Sequence, residues 1–236
     1  MQTQDAPAEI IFKLWPWLEA NKTRLIGAGV AILIVVGVLY FISSQREQKE
    51  IDAGQALTML LVTPTPNANS GQMATNFAKL AEKYPGTAAG QRAQLQAAAT
   101  MFGAGHYADA QAQFQKCLDA SASGPLAATA ELGVAASLEA QNKLDLATAA
   151  YQKVTSGFAG SASVLPAEFA LGRIAEQQNK LAEAVAHYEK AARATLGGTL
   201  AQDAAQRAFE IKAKLAAAPK PAAAPQPFAA PQPAAK

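Results

Sequence analysis

The sequence predicts an all-α protein: a single N-terminal transmembrane helix followed by a solenoid of helical hairpins. Three observations carry that expectation. Residues 25–42 read LIGAGVAILIVVGVLYFI and contain no charge. Large aromatics at Phe77, Phe114, Tyr151 and Tyr188 recur at a constant step of 37 residues. Half of the 236 residues are hydrophobic, yet only 7% are aromatic, because Ala supplies much of the apolar content. Ala is the strongest helix former and a poor core filler, so this balance predicts close-packed helices.

The first element is the apolar run. A helix over residues 25–42 reaches roughly 27 Å, near the thickness of a hydrocarbon core. A cleaved signal peptide is the rival reading, but its apolar region is shorter and ends at a small-x-small site. Here the run passes into FISSQREQKE, which lacks that pattern, and predicts an uncleaved anchor. Lys13, Lys22 and Arg24 precede the run, and Arg46 and Lys49 follow it. This balance gives a small preference for a cytoplasmic N-terminus. Trp15 and Trp17 on one side, and Tyr40 and Phe41 on the other, suit the two membrane interfaces. Ile10, Ile11, Leu14, Trp15 and Leu18 share one helical face, which predicts a short interfacial helix within residues 1–24. Pro16 removes a donor there and predicts a bend.

The next element is a juxtamembrane helix from Ser44 to about Val62, broken by TPTPNANSG; with that linker it occupies residues 43–66. The repeats then occupy residues 67–215. The stretch ATNFAKLAEKYPGT, with Met73, Phe77 and Leu80, predicts an unpaired helix at the start of the array. Three segments follow that agree over a wider window: GHYADAQAQFQKC from Gly105, NKLDLATAAYQKV from Asn142 and NKLAEAVAHYEKA from Asn179. A fixed period in this range marks stacked supersecondary units. Each unit reads as two helices, the second carrying a small residue and an aromatic four positions later on one face. Gly105, Asn142 and Asn179 stand at the turns, where a left-handed residue is often required. Gly124-Pro125 and Pro166 mark the starts of first helices. Residues 201–215 predict a closing helix in which Phe209 stands one period after Gly172, so regular stacking stops there. Residues 216–236 form a Pro/Ala tail with no packing pattern; it is expected to be disordered and to reach roughly 60 Å if extended.

The repeats resemble the tetratricopeptide repeat. Ala98, Ala135 and Gly172 match that family's first small residue, Ala110, Ala147 and Ala184 its alanine, and Phe114, Tyr151 and Tyr188 its aromatic. The period of 37 exceeds the family's usual 34, and Gln94, Glu131 and Glu168 stand where the family has a tryptophan. The resemblance implies that Phe114 is framework, an aromatic filling the gap left by a small residue on a neighbouring helix. Cys117, three residues later, is expected to be a buried small hydrophobe. The resemblance also implies that the first helices line a concave surface. Its positions are Arg92, Leu95, Ala99 and Phe102 in the first unit, then Thr129, Leu132, Ala136 and Glu139, then Pro166, Phe169, Arg173 and Glu176. Arg92, Leu95, Phe102, Leu132, Phe169 and Arg173 are the partner-binding candidates: an apolar floor with arginines able to hold a carboxylate.

Several functions find no support in the sequence. The net charge is +2, with Lys and Arg spread along the chain, which argues against a nucleic-acid footprint. One cysteine forbids an intrachain disulfide and any CxxC site. The two histidines, His106 and His187, have no acidic or cysteine partners at ligand spacing and read as solvated side chains. Glu139 and Glu176 read as exposed helix charges. No nucleophile elbow, phosphate loop or zinc motif occurs, so no catalytic residue, metal or cofactor is expected and the protein is expected not to be an enzyme.

The layout, above all LWPWLEANKTRLIGAGVAILIVVGVLYF leading into degenerate repeats, resembles the ancillary subunit of the bacterial Sec translocon. That resemblance implies a single-pass inner-membrane protein with its repeats in the periplasm, bound to SecYEG and to periplasmic chaperones. The alternative is a structural envelope scaffold in a division, pilus or secretion assembly.

Overall fold

The computed structural model describes residues 6–62, 69–193 and 198–217. The expected TPTPNA linker (63–68) and most of the Pro/Ala tail (218–236) lie outside the described residues, as do the side chains of the expected interfacial face, Ile10, Ile11, Leu14, Trp15 and Leu18. The described residues are all helical or turn: α1 (Ala6–Val62), α2 (Ser70–Lys83), α3 (Ala88–Gly103), α4 (Tyr107–Ala120), α5 (Ala127–Ala140), α6 (Leu144–Gly157), α7 (Val164–Gln177), α8 (Leu181–Ala192) and α9 (Gly198–Ala217). Their contacts divide the chain into two compact units, residues 1–97 and 98–236.

In the first unit, α1 runs as one helix of 57 residues with Pro16 inside it. The interfacial, apolar and juxtamembrane segments expected from the sequence are therefore continuous in the backbone. Among the described residues α1 is the one helix long and apolar enough to cross a membrane. Its side chains from Ile26 to Ile42 are exposed on every face, Leu33 by 72%. The C-terminal part of α1 is different. Ala53 and Leu57 are buried with Phe77 and Leu80 of α2 and with Ala89, Ala93 and Ala97 of α3. The helix carrying Phe77 is thus not unpaired as expected: the end of α1 serves as its partner. The 37-residue pattern does not show this pairing, because the buried α1 residues Ala53 and Leu57 are not its alanine–aromatic pair. Asn69 starts α2 by accepting the Gln72 N–H through Oδ1 at 2.8 Å, a standard N-cap.

In the second unit, α4 to α9 pack in chain order, each against the next. The turns Gly103–Tyr107, Ala140–Leu144 and Gln177–Leu181 share one design. Gly105, Asn142 and Asn179 have φ of 83°, 60° and 58°. The amide after each reaches back to a helix carbonyl: His106 to Met101 at 3.0 Å, Lys143 to Leu138 at 2.9 Å and Lys180 to Ala175 at 2.8 Å. These bonds satisfy carbonyls that the helix end would otherwise orphan. Alanines fill the contacts, with Ala110, Ala130, Ala135, Ala147, Ala167, Ala184 and Ala204 all buried. One aromatic per hairpin fills the remaining space. The Phe114 ring lies where a Cβ on Gly133 of α5 would fall, and the Tyr188 ring where a Cβ on Gly172 of α7 would fall. Phe114 is framework, as expected. Cys117 is buried, and burial pushes its thiol up from the ordinary value. Phe209 is 73% exposed, at the place where the regular packing ends.

Candidate protein-binding site

The candidate residues fall in both units. Of those in the second unit, Phe102, Leu132 and Phe169 are half-buried and Arg173 is exposed. Phe102 meets Tyr107 edge-on at 5.2 Å, and Phe169 meets Tyr188 edge-on at 5.4 Å. Phe169 also packs against the cluster of Ala175, Val185, Tyr188 and Ile211. Both phenylalanines therefore spend much of their surface on intramolecular packing. Arg173 is occupied too: its Nη2 lies 2.5 Å from Glu139 Oε1.

Glu139 is more than an exposed helix charge. Its other oxygen accepts the Tyr151 hydroxyl at 2.7 Å, and Glu176 accepts the Tyr188 hydroxyl at 3.1 Å. Both pairs are separated by 12 residues. The corresponding residues one unit earlier are Phe102 and Phe114, so hydroxyl and carboxylate are present together or absent together. Burial, then the adjacent Glu176, pushes the Tyr188 hydroxyl up to about 12, and Tyr151 is raised further by burial and Glu139.

Glu131 and Glu168, at the family's tryptophan position, are buried. Each meets a lysine on the following helix: Glu131 with Lys153 at 3.2 Å and Glu168 with Lys190 at 3.7 Å. A buried carboxylate requires such a partner. Glu168 also lies 2.7 Å from His187 Nδ1. His187 is thus half-buried and paired, contrary to the solvated reading. Its partner lies 19 residues away on the preceding helix, beyond any local motif. His106 is exposed, as expected.

Arg92 and Leu95 line a different feature, wholly inside the first unit. A hollow of about 490 Å³ runs between α1 and α3, lined by Glu50, Gly54, Leu57, Thr58, Leu61, Ala89, Arg92, Leu95 and Gln96. The α1 wall repeats at helical spacing, so one face of that helix forms it. Gly54 leaves open space where a side chain would stand. Glu50 fixes the wall to α3: its two oxygens accept the N–H groups of Ala88 at 3.0 Å and Ala89 at 3.2 Å. Those are the first amides of α3, orphan donors at the positive end of its dipole. The Glu50 carboxylate is therefore engaged by two backbone amides, while exposed Arg92 makes no ion pair among the described residues. The five α1 residues were not among the sequence candidates. Their spacing was readable, but nothing in the sequence says that α1 enters the array.

Helical hairpins stacked in chain order, with left-handed turn residues and one aromatic per hairpin, define a helical-repeat protein with an inter-helix groove. Comparison with protein families agrees. The chain belongs to the family described as tetratricopeptide repeat-like domain, whose model matches residues 13–218. A comparison with curated proteins found no match. Among solved structures, kinesin light chain nearly identical TPR-like repeats from Podosopora anserina are 14% identical, with a TM-score of 0.44, covering 73% of this chain and 97% of that one. BtubC (BKLC) from P. vanneervenii is 15% identical with a TM-score of 0.45, covering 81% of this chain and 98% of that one. Tetratricopeptide-like repeats of this kind mediate protein–protein contacts, and the chain is a protein-interaction module in that sense.

Proposed function

We propose that the chain is a non-enzymatic, membrane-tethered interaction module of the bacterial envelope. Residues 25–42 cross the inner membrane, the N-terminus is cytoplasmic and the repeats are periplasmic. The module acts as an accessory subunit between the Sec translocon and periplasmic chaperones.

The observation that carries the membrane reading is the uncovered apolar surface from Ile26 to Ile42. A continuous apolar band exposed around a whole helix is costly in water and stable in lipid. The family match supports it: that match begins at residue 13, so it takes in the apolar run together with the repeats. The orientation rests on the three basic residues before the run against two after it. The translocon reading rests on the layout described under the sequence.

Two measurements test the proposal. Carbonate washing of membranes should leave the full chain in the pellet, and protease added to spheroplasts should digest the repeats. Release by carbonate, or full protection of the repeats, overturns the topology. Photo-crosslinks from the repeats should reach SecYEG subunits; crosslinks confined to division or pilus components overturn the translocon assignment.

A further inference from the structure

We propose that the hollow between α1 and α3 receives an amphipathic helix of a partner protein, with apolar side chains on Leu57, Leu61 and Leu95 and an acidic side chain at Arg92. The inference rests on the reading above that the chain is a protein-interaction module, and it names the surface and the partner chemistry.

The shape argues for a helix. The α1 wall runs from Glu50 to Leu61, roughly 16 Å or three helical turns. A ligand helix of that length offers one ridge of side chains at i, i+4 and i+7. An extended peptide fits poorly for a different reason. Both walls are helices whose backbone groups are already bonded, within each helix or, at Ala88 and Ala89, to Glu50, so a strand would find no ladder partner. A helix brings its own backbone bonds and needs only side-chain contact.

The charge argues for an acidic helix. Of the two ionisable groups in the lining, Glu50 is engaged by the α3 amides. Arg92, also in the lining, is exposed and makes no ion pair among the described residues. A carboxylate there gains a charge-assisted bond without displacing an existing one. Arg173 offers no such opening, because Glu139 already holds it. With the proposed anchor in the bilayer, the hollow also lies close to it. Counting from Ile42, its α1 wall begins about 12 Å and ends about 28 Å along the helix. A partner segment just outside the membrane is therefore within reach.

The test uses the full chain in nanodiscs and a fluorescein-labelled model helix with Leu at i, i+4 and i+7 and Glu beside them. A twin helix carries Lys in place of Glu. Fluorescence anisotropy should show the Glu helix binding about tenfold more tightly than the Lys twin. Arg92→Glu should reverse that order, Leu61→Asp should weaken the Glu helix by a similar factor, and Arg173→Glu should change neither. Both substituted hollow residues are exposed, so the fold survives the changes. Equal binding of the two helices, no binding of either, or indifference to Arg92→Glu overturns the proposal. Crosslinking to SecYEG in cell membranes, run in parallel, separates this result from the functional reading. Crosslinks that persist while the model helix fails remove this site alone. Crosslinks that are absent while the model helix binds remove the translocon assignment alone.

Discussion

At Gly133 and Gly172 a missing side chain is what the packing requires. A Cβ on Gly133 would lie 2.5 Å from the Phe114 ring, and one on Gly172 would lie 2.8 Å from the Tyr188 ring. Helix propensity favours Ala over Gly by up to about 1 kcal/mol, while forced overpacking costs about 1–3 kcal/mol. Packing should win. Gly133→Ala and Gly172→Ala should both lower the urea midpoint. Gly54→Ala, in a helix interior with nothing within 4 Å, should raise it; a rise in all three would mean that the rings do not sit where described. The tyrosine pairs give a second outcome. The folded-state value of Tyr188, about 12, lies above the ordinary 10.0, so its neutral form is the one the fold favours. The stability it adds is intact below pH 10 and is lost as pH rises from 10 towards 12; Tyr151 acts in the same direction. The urea midpoint should fall in that window, and Tyr151→Phe with Tyr188→Phe should flatten the fall. An unchanged slope in the double variant would exclude the two hydroxyls as its source. The aromatic spacing was legible in the sequence because packing periodicity writes itself at fixed intervals. The carboxylate partners were not, since pairs such as His187 with Glu168 depend on which helix faces which.

The helices divide into those the sequence announced and one whose role it hid. The turns were readable because Gly105, Asn142 and Asn179 occupy a backbone region that few other residues tolerate. The end of α1 was not, because its buried residues, Ala53 and Leu57, match no repeat signature. Beside the buried contacts of Ala53 and Leu57 with α3, one polar side chain of α1, Glu50, accepts the first amides of α3 in the manner of a cap. Loss of a cap of this kind costs about 0.5–2 kcal/mol. Glu50→Ala should therefore destabilise the full chain by that amount and speed hydrogen exchange at the Ala88 and Ala89 amides. Glu50→Gln, which keeps an acceptor oxygen, should cost less. Unchanged exchange in the Ala variant would show that those amides do not depend on Glu50.

For the molecule as a whole, the helical-repeat class was legible in the sequence and most of the candidate site was not. An uncharged run, a repeated aromatic and a Pro/Ala tail are compositional signals, visible without any tertiary contact. The candidate groove was legible only in part. Arg92 and Leu95 line the hollow, but its other wall belongs to a segment read as a tether. That wall is the end of one helix that also carries the apolar run. With the proposed anchor in the bilayer, no joint separates membrane from binding surface, and α1 becomes a lever. The part beyond Ile42 extends roughly 30 Å. Rocking the span by about 20°, an ordinary tilt for such helices, would sweep Val62 through roughly 10 Å and carry the hollow with it. Bilayer thickness and lateral pressure would then set where the hollow sits, a mechanical input from the lipid to the choice of partner.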